Sequence, residues 1–251
     1  MKLGLTSVTF RKLSIQDICI LAKKTMLNGI EWGGDVHVTC VSSAKIALEE
    51  TKKHGLEIFS YGSYFKCNTD NYLEEFNNVI EIAKALEVKV VRIWAGDKDH
   101  SETDENYRLS FVERMQKCAL IAKENNITLC FEHHKGTLCN NATNTIEILT
   151  AIRQENVLTY WQPIYSDTQE NLKEIEKLAP KIVNAHVFHW KSGKRLPFKK
   201  GQSTWLQYIN ELGKVNKNIA LIVEFVKSDS EKQFIKDAKI LRDLLPIATH
   251  K

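Results

Sequence analysis

Four apolar runs in the second half of the chain each stop at a residue able to hold a metal ion. The run from Ile127 stops at Glu132, that from Val157 at Gln162, that from Ile182 at His186 and that from Ile219 at Glu224. A carboxylate that ends an apolar run is costly to bury unless it is paired or metal-bound. Two carboxylates, one imidazole and one amide oxygen together suit a single divalent ion such as Mn²⁺, Mg²⁺, Co²⁺ or Zn²⁺. Each residue has a plainer reading on its own. A strand-end Glu can be a salt-bridged rim residue, a lone His a hydrogen-bonded core residue, and Gln162, which precedes Pro163, a turn cap. Four in succession, all in the same place on their runs, point instead to one shared site.

These runs belong to a regular alternation. Short apolar segments at 2–8, 28–32, 56–61, 88–94, 127–133, 157–162, 181–188 and 219–226 read as strands. Between them, amphipathic segments near 14–27, 42–54, 71–86, 104–125, 143–153, 168–178, 203–213 and 229–245 read as helices. Leu73, Phe76, Val79, Ile80, Ala83 and Leu86 form one helical stripe, whereas Val88 to Trp94 is short and β-branched. Ser14 and Thr143 are expected to cap helices, Asn28-Gly29 and His54-Gly55 to close them, and Pro180 and Pro246 to lie beyond helical runs. Eight alternating units imply parallel strands with covering helices, and eight strands close a barrel. The expected fold is therefore a single (β/α)8 TIM barrel over residues 1–251. An open doubly wound sheet would carry a Gly-rich turn after its first strand, and Thr6 to Arg11 is not one.

With 43% apolar and 26% charged residues, the composition is that of an ordinary globular protein. The net charge of +4 is spread over mixed-sign helix faces, which argues against a nucleic-acid footprint. Met1 to Val8 lacks the apolar core of a signal peptide, and no apolar stretch reaches membrane-spanning length. The six cysteines show no Cys-x-x-Cys spacing and read as reduced thiols. The expectation is a cytoplasmic protein that binds neither nucleic acid nor membrane.

In a barrel, the residues that do chemistry sit at the carboxyl ends of the strands and face the central opening. Alternation along each strand sets Cys130, Glu132 and His134 on one face of the fifth, and Tyr160 and Gln162 on one face of the sixth. It likewise groups Asn184, His186 and Phe188 on the seventh, and Ile222, Glu224 and Val226 on the eighth. Further segments add to the pattern: Gly29-Ile-Glu-Trp-Gly-Gly-Asp-Val-His37, Val91-Arg-Ile-Trp-Ala-Gly96, Phe131-Glu-His-His134, Asn184-Ala-His-Val-Phe-His-Trp190 and Val223-Glu-Phe-Val226. With these, nearly the whole chain resembles the xylose isomerase-like barrels. The likeness is to the sugar phosphate isomerase/epimerase group, which includes ketose 3-epimerases, hydroxypyruvate isomerases and inosose dehydratases. The resemblance implies one divalent ion held by Glu, Asp, His and Glu on the fifth to eighth strands. The matching positions here are Glu132, Gln162, His186 and Glu224. Gln162 stands in place of the usual Asp, so the ligands carry two negative charges rather than three, and weaker metal binding is expected.

The chemistry implied by the resemblance is proton transfer beside a carbonyl of a small sugar or sugar phosphate. The ion would act as a Lewis acid for the enediolate, with Glu132 and Glu224 as base and acid. Transfer from opposite faces gives epimerisation and a same-face shuttle gives isomerisation. His134 and Arg195 are candidates for binding substrate hydroxyls or a phosphate, and Trp94 and His37 for lining the pocket. The alternatives are a dehydratase or lyase acting on a keto-sugar or keto-cyclitol, and a sugar-binding protein that has lost catalysis. A DNA-repair endonuclease of this superfamily would need more metal ligands than Tyr61, Trp94, Gln162 and Tyr165 provide. Barrels of this type often associate through helices or rim loops, so a homo-oligomer is a further expectation.

Overall fold

The computed structural model describes residues 1–249. Eight parallel strands close a barrel: β1 (Lys2–Thr6), β2 (Gly29–Gly33), β3 (Glu57–Gly62), β4 (Val90–Ile93), β5 (Thr128–Phe131), β6 (Val157–Trp161), β7 (Ile182–Val187) and β10 (Ala220–Val223). A two-stranded antiparallel hairpin, β8 (Trp190–Lys191) and β9 (Lys194–Arg195), follows β7. Every strand and helix expected from period is present, with ends shifted by a few residues. The hairpin is the addition, in a stretch whose polar residues suggest only a loop.

Eight helices cover the barrel: α1 (Ile15–Lys24), α2 (Val41–Lys53), α3 (Tyr72–Ala85), α4 (Glu105–Glu124), α5 (Ala142–Ile152), α6 (Thr168–Leu178), α7 (Gln202–Val215) and α8 (Glu231–Thr249). Their apolar stripes and the outward faces of the strands make one continuous core. In α3, Phe76, Val79, Ile80 and Ala83 are buried as the stripe requires, but Leu73 is exposed and Tyr72 replaces it on the inner face. Burying a side chain such as Phe76 contributes roughly 1.5–3 kcal/mol.

The caps show how local chemistry sets helix ends. Ser14 and Asp17 form a reciprocal capping box at α1. At α5 the cap is Asn141, whose side chain accepts from Asn144 N at 2.9 Å, and not Thr143. Gly55, with φ of +64°, closes α2 as expected. Gly29 does not close α1, because Met26 takes the left-handed turn at φ 58°. Gly29 is instead the first residue of β2, where a Cβ would meet the Phe59 ring at 2.7 Å. The last helix runs to Thr249, so Pro246 lies within it rather than beyond it.

Inside the barrel, Cys130, Tyr160, Ala220 and Ile222 pack on one another below the carboxyl-end opening. Asn184 donates to the Tyr160 hydroxyl at 2.8 Å in the same layer. Two register shifts decide what stands above it. Ile30 pairs with Ile58 but Glu31 with Ser60, so one extra residue in β3 sets Ser60 beside Glu31. Thr159 pairs with Ile182 but Trp161 with Ala185, and the extra residue in β7 carries Gln162 alongside His186. Such bulges re-aim side chains next to functional sites.

Candidate active site at the carboxyl end of the barrel

A cavity of about 900 Å³ opens above this layer, lined by Glu132, Gln162 and Glu224 at its base and by Tyr64, Trp94 and His134 on one wall. His186 lies beneath it and is fully buried. Its Nδ1 faces Gln162 Oε1 at 3.4 Å, Glu132 Oε1 at 3.5 Å and Glu224 Oε2 at 3.5 Å. Donor atoms of Glu132, His186 and Glu224 all lie within 4.8 Å of one another. The four strand ends thus meet at one point, as alternation and the second bulge require.

Behind these donors lies a network that residue spacing did not reveal. Glu31 of β2 is fully buried. Its Oε1 accepts from His186 Nε2 at 3.1 Å and from Arg92 Nε at 3.2 Å, and its Oε2 accepts from Ser60 Oγ at 2.7 Å. Arg92 of β4, also buried, donates through Nη1 to Glu132 Oε2. The Arg92 guanidinium lies 5.0 Å from the centre of the Tyr64 ring. Its Nη2 has no hydrogen-bond partner and fits only because residue 62 is Gly, where a Cβ would come within 2.5 Å of it. A trace of this network is visible in the sequence: Glu31 and Arg92 are opposite charges inside apolar strands, and buried charges demand partners.

The electrostatics follow from this packing. Burial opposes ionisation of Glu31, but the Arg92 and His186 charges hold its carboxyl well below the usual range. Glu132 behaves likewise, with Arg92 the main force against burial. Burial would lower the His186 pKa, yet Glu224 and Glu31 raise it to about 10. Glu224 is pushed up by burial and by Glu132, against the pull of His186.

This donor set fits a divalent metal ion. His186 Nε2 is committed to Glu31, which leaves Nδ1 as the ring nitrogen that faces three oxygen atoms and would offer its lone pair once an ion displaces its proton. Three buried carboxylates, Glu31, Glu132 and Glu224, face one guanidinium, so a divalent ion beside a neutral His186 brings the set to zero charge. An Asp at position 162 would leave an excess negative charge. Gln162 is thus in keeping with a divalent ion in this surrounding.

Two of the expected substrate-binding residues line the cavity and two do not. Trp94 and His134 both line it and stack on each other, with ring centroids 5.0 Å apart. His134 Nδ1 donates to the Lys135 carbonyl, which leaves Nε2 as the free ring nitrogen. His37 is buried away from the cavity, its Nδ1 3.0 Å from Ser7 Oγ and its Nε2 3.0 Å from Leu13 O, so both ring nitrogens are used. Arg195 turns away to pair with Asp229, and its guanidinium lies 4.2 Å from the Phe225 ring centre. It anchors the hairpin, whose Trp190, Lys191, Ser192 and Gly193 form an upper wall of the cavity. Alternation also fails at Val226, because Phe225 turns left-handed at φ 53° and Val226 joins the outer core.

Residues 27–244 match the family model described as xylose isomerase-like TIM barrel. The chain belongs to the xylose isomerase-like TIM barrel family. Among characterised proteins it is similar to 3-dehydroshikimate dehydratase of Bacillus anthracis, 22% identical over 198 residues that cover 74% of this chain and 71% of that enzyme. A solved structure of a probable 3-DHS dehydratase from the same organism superposes with a TM-score of 0.84 at 19% identity, covering 96% of this chain and 99% of the other. D-psicose 3-epimerase from Clostridium cellulolyticum superposes with a TM-score of 0.74 at 12% identity, covering 99% of both chains. At these identities the superpositions speak for the fold. Proteins that share this fold thus include both an epimerase and a probable dehydratase. No helix among the described residues is long and apolar enough to cross a membrane.

Proposed function

We propose that this barrel is a metal-assisted lyase that removes water from a small hydroxylated carbonyl compound. The observation that carries the reading is the convergence of Glu132, Gln162, His186 and Glu224 on one point at the cavity base. The preference for dehydration over epimerisation rests on the sequence similarity to 3-dehydroshikimate dehydratase. The cavity is consistent with an acidic, ring-shaped substrate. Aromatic side chains of Tyr64, Trp94, Phe188 and Trp190 line it together with Arg11, Lys135 and Lys191, and among the described residues Glu132 and Glu224 are its only acidic lining residues. Compounds of the 3-dehydroshikimate type, cyclic hydroxyketones bearing a carboxylate, match that lining.

Glu132, Gln162, His186 and Glu224 would hold the ion, which when bound supplies Lewis-acid stabilisation of negative charge on a carbonyl oxygen. His134, which lines the cavity, would move the proton in this reading. Its Nδ1–H donates to the Lys135 carbonyl and its ring stacks on Trp94, so Nε2 is the nitrogen left to take up a proton. Nε2 would accept the proton from the carbon next to the carbonyl and return it to the β-hydroxyl, which leaves as water as the new C=C bond forms. Arg92 holds Glu132 ionised, which makes Glu132 a better ligand than base.

The test is to incubate the Mn²⁺-supplemented protein with 3-dehydroshikimate and with a set of ketohexoses in deuterated water. The reading expects loss of water from the cyclic acid, seen as rising ultraviolet absorbance from the conjugated product. Deuterium uptake into ketohexoses without loss of water would replace it with the epimerase reading.

A further inference from the structure

The four donors are presented by strands β5, β6, β7 and β10, yet two of them are oriented by a residue on the opposite side of the barrel. Glu31 of β2 makes no contact with the cavity, and every bond it forms is spent on its neighbours. Through Oε1 it accepts His186 Nε2 at 3.1 Å, which fixes both the ring and the nitrogen left for the site. Through the same oxygen it accepts Arg92 Nε at 3.2 Å, and Arg92 in turn grips Glu132 Oε2, leaving Glu132 Oε1 to face His186 Nδ1. Ser60, moved into place by the β3 bulge, holds the other oxygen of Glu31 at 2.7 Å.

We infer that Glu31 is a positioning residue that organises the ion site from outside it, setting His186 directly and Glu132 through Arg92. A carboxylate behind a ligating histidine fixes its tautomer and raises its basicity, and losing such a partner typically lowers metal affinity by about 10–100-fold. The chain has particular need of this device because Gln162 brings no charge to the ligand set. The inference rests on the metal reading proposed above.

The hydrogen-bond pattern supplies a variant that isolates the charge. In Glu31→Gln, an amide oxygen in the Oε1 position keeps both the His186 and the Arg92 bonds. The amide nitrogen, in the Oε2 position, then donates to the Ser60 hydroxyl. All three bonds survive and only the charge is lost, whereas Glu31→Ala loses both. The experiment titrates full-length, chelator-stripped protein with Mn²⁺ alone and follows the signal of the free ion by electron paramagnetic resonance. Wild type is expected to bind one ion, Glu31→Gln roughly tenfold more weakly, and Glu31→Ala up to about a hundredfold more weakly. In ¹⁵N-histidine spectra of the Zn²⁺-loaded protein, wild-type His186 should be protonated at Nε2, and that single tautomer should be lost in Glu31→Ala. A folded Glu31→Ala protein with affinity within about threefold of wild type overturns the inference, since the expected loss is at least tenfold. If Glu31→Ala does not fold, Glu31→Gln is judged by the same threshold. A wild type that binds no Mn²⁺ removes the metal reading, and this inference falls with it. Variants unaltered beside a wild type that binds remove this inference alone.

Discussion

The two halves of the barrel are finished to different degrees. On the β2–β4 side, Glu31, Ser60 and Arg92 are joined by hydrogen bonds of 2.7 to 3.2 Å, with each Glu31 oxygen partnered. On the β5–β10 side, the donor atoms of Glu132, Gln162 and Glu224 stand 3.4 to 3.5 Å from His186 Nδ1, too far for strong hydrogen bonds. One half is a closed scaffold and the other an open set of donors around a shared point. The contrast separates residues that would bind an ion from residues that hold the binders still.

The contrast is broken most directly by removing a donor. His186→Ala should bring metal content and turnover to background while the fold persists, and Glu132→Gln or Glu224→Gln should reduce turnover by roughly a hundredfold or more. Elemental analysis and circular dichroism check the first, and initial rates check the second. Metal retained by His186→Ala would show that the open half has been misjudged.

Damage to the closed half should appear first as lost stability. Arg92→Met takes the guanidinium from Glu132 and leaves Glu31 with His186 alone as its counter-charge, and breaking a buried pair of this kind typically costs about 3–5 kcal/mol. Urea denaturation measures it, and Mn²⁺ should restore part of the loss by binding the folded state. No change in the unfolding midpoint would mean that the pairing carries no weight.

Gln162 sharpens the comparison because it is the neutral member of the open half. Gln162→Asp adds a charged oxygen at the same place and should tighten Mn²⁺ binding by about tenfold, since ligand charge sets affinity at such sites. In the ion-free protein the same change adds a buried carboxylate and should lower the melting temperature. Unaltered affinity would remove Gln162 from the ligand set.

The smallest effect is expected at the rim. Arg195→Ala frees the hairpin from Phe225 and Asp229, and an exposed pair of this kind is worth about 1 kcal/mol or less. KM should rise a few-fold with kcat nearly unchanged. A large fall in kcat would return Arg195 to direct contact with substrate.

Much of the open half was legible in the sequence because its donors end apolar runs, and a period of two says which way they point. Glu132, Gln162, His186 and Glu224 meet as that reading requires. The closed half was harder to read. Glu31 and Arg92 sit inside strands, and their pairing depends on barrel closure and on a bulge in β3 that no periodicity announces. His37 is expected in the pocket lining because an aromatic surface suits the apolar face of a sugar, but Ser7 and Leu13 claim both its nitrogens. Arg195 looked free in a polar loop, although Ser192 and Gly193, both at positive φ, turn that loop into a hairpin and carry Arg195 onto Phe225. Long-range partners of this kind are set by topology rather than by local pattern.

The division of labour between the two halves is tested most directly by anomalous diffraction from crystals grown with Mn²⁺. The account predicts one strong peak at the cavity base, bonded to His186 Nδ1, Gln162 Oε1 and oxygens of Glu132 and Glu224, with Glu31 and Arg92 outside bonding distance. A peak bonded to Glu31, or a cavity base with no peak at saturating Mn²⁺, would contradict it.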